Sequence, residues 1–163
     1  MILNVRVDHR LLHGQVAFTW TTALGSDCIL IANDSVVDDQ IRKTTMKLAK
    51  PAGVKLVIKN VEDSIAAINA GKTDKYKLFI VVETITDAAR LARACEQVTA
   101  INIGGTPPRE GTRCIAKAVY VTPGEEALIR ERAAEGIEVG IRMVPVDKSI
   151  DALSALGEGG GAA

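Results

Sequence analysis

The sequence is poor in aromatic residues, in histidine and in net charge. Of its 163 residues only 3% are aromatic and two are histidine, and its 20 basic side chains are balanced by 20 acidic ones. Proteins that bind nucleic acids or anionic membranes usually carry a basic surplus. The zero net charge therefore argues against a nucleic-acid partner, although it leaves room for a local positive pocket.

Paired cysteines and long apolar runs are also missing. Cys28, Cys95 and Cys114 form no CxxC pair and lack the spacing of metal ligands, which predicts reduced thiols and no metal site. No apolar stretch approaches the roughly 18 residues of a membrane helix, and no signal-type segment opens the chain. We therefore expect a soluble, cytoplasmic protein that reaches a membrane only through its partners.

The patterns that are present alternate between strand and helix. Apolar runs predict strands at 2–7, 28–32, 54–58, 77–82, 100–103, 117–121 and 137–144, with helical spacing between most of them. This order predicts an α/β fold: a single-domain three-layer sandwich with a mostly parallel central sheet and helices on both faces. The domain is expected to cover residues 1–156, and the glycine-rich tail at 157–163 is expected to be disordered.

Several helix boundaries have recognisable signals. Thr122, Pro123 and Glu125 have the spacing of a capping box with proline in the first turn. Thr86 is placed to cap a helix at 87–98. A last, short helix is expected at 149–156.

The loop after the first predicted strand contains both histidines. Ligands of open parallel sheets bind at the carboxyl ends of strands, so this loop is the first candidate site. His13 stands at a helix entrance, where free backbone N–H groups and the helix dipole favour a phosphoryl group on the imidazole. Arg10 could clamp its oxygens, Asp8 could hold Arg10 or orient a ring nitrogen, and Gly14 permits close backbone approach. Spacing alone does not decide whether His9 or His13 reacts.

Three more residues are candidates for supporting roles at this site. Arg6 and Gln15 belong to the same segment as the histidines. Thr84 follows the strand at 77–82, where its hydroxyl could bond phosphate, although we favour a role in helix capping for such a threonine. Gly104-Gly105 is expected to form a sharp turn, or alternatively a second wall of the site.

The segment 6–16, Arg-Val-Asp-His-Arg-Leu-Leu-His-Gly-Gln-Val, followed by Trp20, resembles the active-site signature of one family. This is the mannose/fructose/sorbose family of IIB proteins in the sugar phosphotransferase system. Four other segments resemble further family motifs: Asn-Asp at 33–34, Pro-Ala-Gly-Val at 51–54, Asn-Ile-Gly-Gly at 102–105 and Arg-Glu-Gly at 109–111. The resemblance spans almost the whole chain, short of the glycine-rich tail.

The resemblance implies a phosphohistidine–sugar phosphotransferase that needs no cofactor. His13 matches the histidine that takes a phosphoryl group on Nδ1 from a IIA subunit and passes it to a sugar presented by membrane subunits IIC and IID. Arg10 matches the active-site arginine and Asp8 the first aspartate of the loop. Membrane association would be peripheral, through IIC and IID. The resemblance is also compatible with a homodimer.

The sequence departs from the family in two places. His9 replaces a second aspartate, either as tolerated variation or to adjust local charge or contact a IIA surface. Thr-Pro-Pro at 106–108 is also atypical, which puts a shared role of that loop in doubt. Two other functions compete with this interpretation. A Rossmann-type enzyme lacks its glycine fingerprint after the first strand, whereas a regulatory module controlled by histidine phosphorylation fits the same residues.

Overall fold

The computed structural model describes residues 1–157, so the predicted tail lies outside them except for Gly157. The helices and strands follow one another along the chain as β1 (Ile2–Asp8), α1 (Gly14–Leu24), β2 (Cys28–Ala32), a 3₁₀ turn (Val36–Asp38), α2 (Gln40–Ala49), β3 (Lys55–Lys59), α3 (Val61–Asn69), β4 (Leu78–Val82), α4 (Ile85–Ala94), β5 (Ala100–Gly105), β6 (Arg113–Ala116), β7 (Val119–Val121), α5 (Pro123–Ala134), β8 (Glu138–Ile141), β9 (Ile150–Asp151) and α6 (Ala152–Leu156).

A seven-stranded sheet in the order β3-β2-β4-β1-β5-β8-β9 forms the centre of the molecule. Its strand pairs are parallel except that of β8 with β9. β1 lies between β4 and β5. Every residue of β2 and β4 is buried, as is typical of parallel strands covered on both faces. The predicted α/β fold with a mostly parallel sheet is confirmed.

Two hydrophobic cores separate the layers of the sandwich. One face of the sheet packs against α1 and α2, with Trp20 stacked near Phe79 at a ring separation of 6.5 Å. The other face packs against α3 to α6, through residues such as Ile68, Leu91 and Ile129. The sheet is therefore covered on both sides, and Trp20 is a core residue.

The glycine pair at the end of β5 corrects one prediction. Gly104 and Gly105 continue the strand and do not form a sharp turn, because Gly105 still pairs with Asp8 of β1. A β-carbon at Gly104 would lie 2.1 Å from the Arg6 guanidinium. The glycine is thus required by a close side-chain approach and not by turn geometry.

Two strands were not anticipated in the second half of the chain. The predicted strand at 117–121 is shortened to β7, which pairs with β6 as a separate antiparallel hairpin. The predicted helix at 149–156 begins only at Ala152, since Ile150 and Asp151 form the edge strand β9. Both β6 and β9 are short and largely exposed, so they lack the apolar runs by which the buried strands were recognised.

The cap of α4 is Thr84, which confirms the role favoured for it, and not Thr86, for which a cap was also predicted. The Thr84 hydroxyl accepts the Asp87 N–H at 3.1 Å, whereas Thr86 is exposed within the helix. Starting the helix at Ile85 buries that isoleucine, which accounts for the earlier start. The capping box of Thr122 and Glu125, by contrast, is confirmed.

Replacing the observed cap should cost more stability than replacing the predicted one. We expect Thr84→Ala to lower the free energy of unfolding by about 1 kcal/mol, because one orphan amide of α4 loses its acceptor. Thr86→Ala is the matched control and should change it by less than about 0.5 kcal/mol. Urea denaturation of both variants measures the difference, and equal effects would contradict this cap assignment.

Candidate active site

The turn from β1 to α1 has a fixed and unusual backbone. Leu11 donates its N–H to the Asp8 carbonyl at 2.8 Å and has φ of +57°, a left-handed conformation that is uncommon for a bulky residue. Leu11 and Leu12 are each only 3% exposed, so their burial holds this conformation. Leucine carries no sequence signal for it, and sequence reasoning therefore missed it.

His13 is the residue that immediately precedes α1, and its backbone is extended. Within residues 1–157 no side chain caps this helix, and the first helical bond runs from the Ala17 N–H to the His13 carbonyl at 3.2 Å. The amides of Gly14, Gln15 and Val16 are therefore left for an outside acceptor, an arrangement that favours an anion. Gly14 has φ of +43° with open space beside it.

The imidazole of His13 lies at the surface with its nitrogens turned inward. Its side chain is 24% exposed, and Nε2 is 3.9 Å from Oδ2 of Asp8. Both ring nitrogens are buried and have no hydrogen-bond partner among the described residues. A nitrogen can therefore reach a reaction partner only after the ring turns about its side-chain torsions.

Burial lowers the pKa of His13 below the ordinary imidazole value of 6.5. The carboxylate of Asp8 opposes this shift, while the positive charges of Arg10 and Arg6 add to it, as does His9. At neutral pH the ring is therefore held in the neutral form, which is the form that can act as a nucleophile.

This lowered pKa predicts how proton binding and stability depend on pH. Because the folded pKa lies below the unfolded one, the unfolded chain binds the proton first as the pH falls, so the free energy of unfolding should decrease as the pH drops below 6.5. An NMR titration of the His13 ring tests this, with a histidine peptide as reference; a midpoint at or above that of the peptide would contradict it.

Asp8 lies close to Arg6, Arg10 and His13. Its carboxylate is 2% exposed, and Oδ1 accepts the backbone N–H of Arg10 at 3.0 Å and lies 3.7 Å from Nε of Arg10. Oδ2 pairs with Arg6 at 3.3 Å and faces His13. The two roles that the sequence left open for Asp8, holding Arg10 and orienting the histidine, are thus both compatible with its position.

Arg6 lies beneath the site and does not reach the surface. It is 2% exposed, and its guanidinium donates to Oδ1 of Asn102 at 2.6 Å and to the carbonyls of Arg142 and Met143 at 3.1 and 2.9 Å. Burial lowers the pKa of Arg6, and the Asp8 carboxylate opposes that shift. Any contribution of Arg6 to phosphate binding therefore passes through Asp8.

Sequence reasoning did not identify the residues that hold Arg6. Asn102 was noticed only as part of a family motif and Gly104 also as a turn or wall residue, and the structure gives them a physical role as acceptor and as the space for the guanidinium. Cζ of Arg6 lies 4.9 Å from the centroid of the Trp20 ring. Trp20 also donates its indole N–H to the Met143 carbonyl. These contacts join β1, β5, α1 and the segment after β8.

The remaining predicted residues separate into two places. Arg10, with its side chain 57% exposed, and Gln15, also exposed, lie beside His13 in the turn and the first helical turn. Thr84 instead lines a neighbouring cleft of about 290 Å³, together with His9 and Glu83. His13 is not among the residues that line this cleft.

The fold is shared with solved domains of known type. The crystal structure of the IIBSor domain of the sorbose permease from Klebsiella pneumoniae matches with a TM-score of 0.91 and 30% identity, covering 98% of both chains. The N-acetylgalactosamine-specific IIB component 1 from Escherichia coli matches with a TM-score of 0.86 and 28% identity, covering 93% of this chain and 99% of that one.

The sequence comparisons give the family. Residues 2–160 match the family described as the PTS system sorbose subfamily IIB component. The sorbose-specific EIIB component of Lacticaseibacillus casei is 34% identical over 158 residues, 97% of this chain and 96% of the relative. The chain therefore belongs to the sorbose subfamily of IIB components of the phosphotransferase system, a system of sugar transport.

One relative combines more than this domain. The mannose-specific EIIAB component of Escherichia coli is 31% identical over 154 residues, which are 93% of this chain but 48% of the relative. Within residues 1–157, no helix is both long and apolar enough to cross a membrane.

Proposed function

We propose that this IIB component is a cytoplasmic phosphoryl carrier that uses His13 as the acceptor. The group would come from a phosphohistidine of a IIA protein and pass to a sugar during uptake mediated by the membrane subunits IIC and IID. The observation that carries the proposal is the position of His13 at the uncapped start of α1, beside the exposed Arg10. The relative named EIIAB supports a IIA part as the donor.

The chemistry asks little of the protein beyond positioning and charge stabilisation. The lone pair of neutral His13 attacks the phosphorus of the donor, a new P–N bond forms, and the P–N bond to the donor imidazole breaks. In the second step a sugar hydroxyl oxygen attacks the phosphorus, its proton is released, and His13 leaves as the neutral imidazole. Each attack requires the reacting nitrogen, which is buried, to turn outward.

The first-turn amides and Arg10 supply the stabilisation in both steps. The equatorial oxygens of the transferring group carry the charge, and the N–H groups of Gly14, Gln15 and Val16, which have no acceptor within the helix, can donate hydrogen bonds to those oxygens. Arg10 is exposed and can move toward the phosphoryl group, while Asp8 keeps its backbone in place. An exposed turn also suits two histidines that must meet around one phosphorus atom.

A phosphoryl chase tests the carrier function against the regulatory alternative. Protein labelled from phosphoenolpyruvate, the general phosphotransferase proteins and IIA is mixed with membranes that contain IIC and IID and with a candidate sugar. A carrier loses its label as labelled sugar phosphate appears, whereas a regulatory module keeps it. Mannose, fructose, sorbose and amino sugars are to be compared, because the membrane subunits select the sugar.

A further inference from the structure

A second cleft, of about 300 Å³, opens on the face of the sheet that α3 covers. Its floor is apolar and is formed by alternate residues of three neighbouring strands, including Leu30, Val57 and Leu78. Most of its lining belongs to the amino-terminal halves of β2, β3 and β4 and to the loop before β4. In a parallel sheet these amino-terminal strand ends lie opposite to the carboxyl-terminal ends, where the turn that holds His13 is found.

Four lysines surround this floor: Lys55, Lys59, Lys72 and Lys75. No carboxylate is among the lining residues, and within residues 1–157 no lysine takes part in a salt bridge. The neighbouring carboxylate of Asp27 accepts the backbone N–H of Lys77 at 2.8 Å. A chain with zero net charge thus concentrates positive charge around one cavity.

Two further polar residues line the same cleft. The hydroxyl of Tyr76 accepts a hydrogen bond from Nζ of Lys55 at 2.8 Å, and Nζ of Lys75 lies 5.2 Å from the centroid of the Tyr76 ring. The hydroxyl of Thr73 is buried and has no partner among the described residues. A buried hydroxyl without a partner is uncommon and calls for a missing donor or acceptor.

We propose that this cleft binds a small organic anion. Its apolar body would lie on the floor formed by β2, β3 and β4, and its phosphate or carboxylate group would be held by the lysines of the rim. Lysine on an edge strand also discourages strand pairing, which would account for Lys55 and Lys59 on β3. It does not account for Lys72 and Lys75, which belong to the loop before β4.

The cavity favours a metabolite-sized molecule over a polymer. Its volume is in the lower part of the usual range for small-molecule pockets, and its polar groups stand around an apolar base, as such pockets require. A fully polar anion would leave the floor unused, and an uncharged molecule would leave the lysines unused. The proposed anion site does not depend on the phosphoryl-carrier proposal, because it lies at the opposite ends of the strands from the His13 turn.

Binding can be measured with 1-anilinonaphthalene-8-sulfonate, a fluorescent anion on an aromatic body, and with its uncharged relative N-phenyl-1-naphthylamine. The variant Lys55→Gln/Lys72→Gln/Lys75→Gln removes three exposed rim charges. The control Lys43→Gln/Lys47→Gln/Lys50→Gln removes three charges at α2. We expect the rim variant to weaken sulfonate binding roughly tenfold or more, the factor that loss of one charge-assisted contact produces. The control should bind as wild type does.

Displacement of the dye then identifies the class of anion. Phenyl phosphate or benzoate should displace the dye, and the one that acts at the lower concentration identifies the preferred head group as phosphate or carboxylate. Inorganic phosphate should compete much more weakly because it has no apolar part. The proposal is overturned if the rim variant binds as tightly as the control, if the uncharged dye binds as well as the sulfonate, or if inorganic phosphate competes equally. Phosphoryl uptake by the rim variant, measured separately, should stay unchanged.

Discussion

A chain with His13→Ala is expected to take up no acid-labile phosphoryl group. The proposed P–N bond requires an imidazole at the start of α1, and no other side chain of the turn offers a neutral nitrogen in that place. Incubation with labelled phosphoenolpyruvate, the general phosphotransferase proteins and IIA measures the label. His13→Gln, which keeps a polar side chain of moderate size, should fail equally.

His9→Ala is the matched control for this experiment. His9 lines the neighbouring cleft, and its backbone N–H is held by the Gly105 carbonyl at 3.1 Å, so the turn should keep its shape without the imidazole. We expect this variant to be labelled as wild type is. If His9→Ala loses the label and His13→Ala keeps it, the acceptor is His9 and our proposal is contradicted.

Arg6→Met should cause the largest loss of stability among the residues of the site. The Arg6–Asp8 pair is almost fully buried, with side chains 3% and 2% exposed. Removing one partner leaves a buried carboxylate and several unpaired acceptors, which typically costs about 3–5 kcal/mol. Urea denaturation measures the free energy of unfolding. If it changes by less than about 1 kcal/mol, the buried pair is not the support that we describe.

Arg10→Met is the companion variant and should show the opposite behaviour. Its side chain is largely exposed, so the free energy of unfolding should change little. Loss of its guanidinium should instead slow phosphoryl uptake on the order of a hundred-fold, as expected when one stabilising donor is removed from a transferring charge. Stability and phosphoryl uptake measured on both variants distinguish the residue that supports the fold of the site from the residue that stabilises the transferring group.

The buried strands and the capping box were predictable because their signals are local. β2 was predicted with its observed boundaries because it is a continuous apolar run. The capping box of α5 was predicted because Thr122 and Glu125 are only three positions apart. Thr84 and Thr86 could not be separated in the same way, because the choice depends on whether Ile85 is buried. That burial is a tertiary property, which the sequence does not display.

The same distinction applies to the candidate site. The segment around Asp8, Arg10 and His13 is continuous in sequence, so its members could be proposed together before the structure was known. The burial of Arg6 by Asn102 and by carbonyls after β8 depends on contacts between residues about a hundred positions apart. The inward orientation of the His13 nitrogens is likewise set by packing and not by residue type.

The hydrogen bond from Arg6 to the Arg142 carbonyl joins residues that are 136 positions apart. Contacts of such long sequence separation form late, because a large loop must close before they contribute. We therefore expect the turn that presents His13 to gain its anchor through Arg6 only when β8 has docked on the sheet. A nascent chain still missing that strand would display both histidines on a turn without its anchor, so competence for phosphoryl exchange should arrive together with completion of the fold.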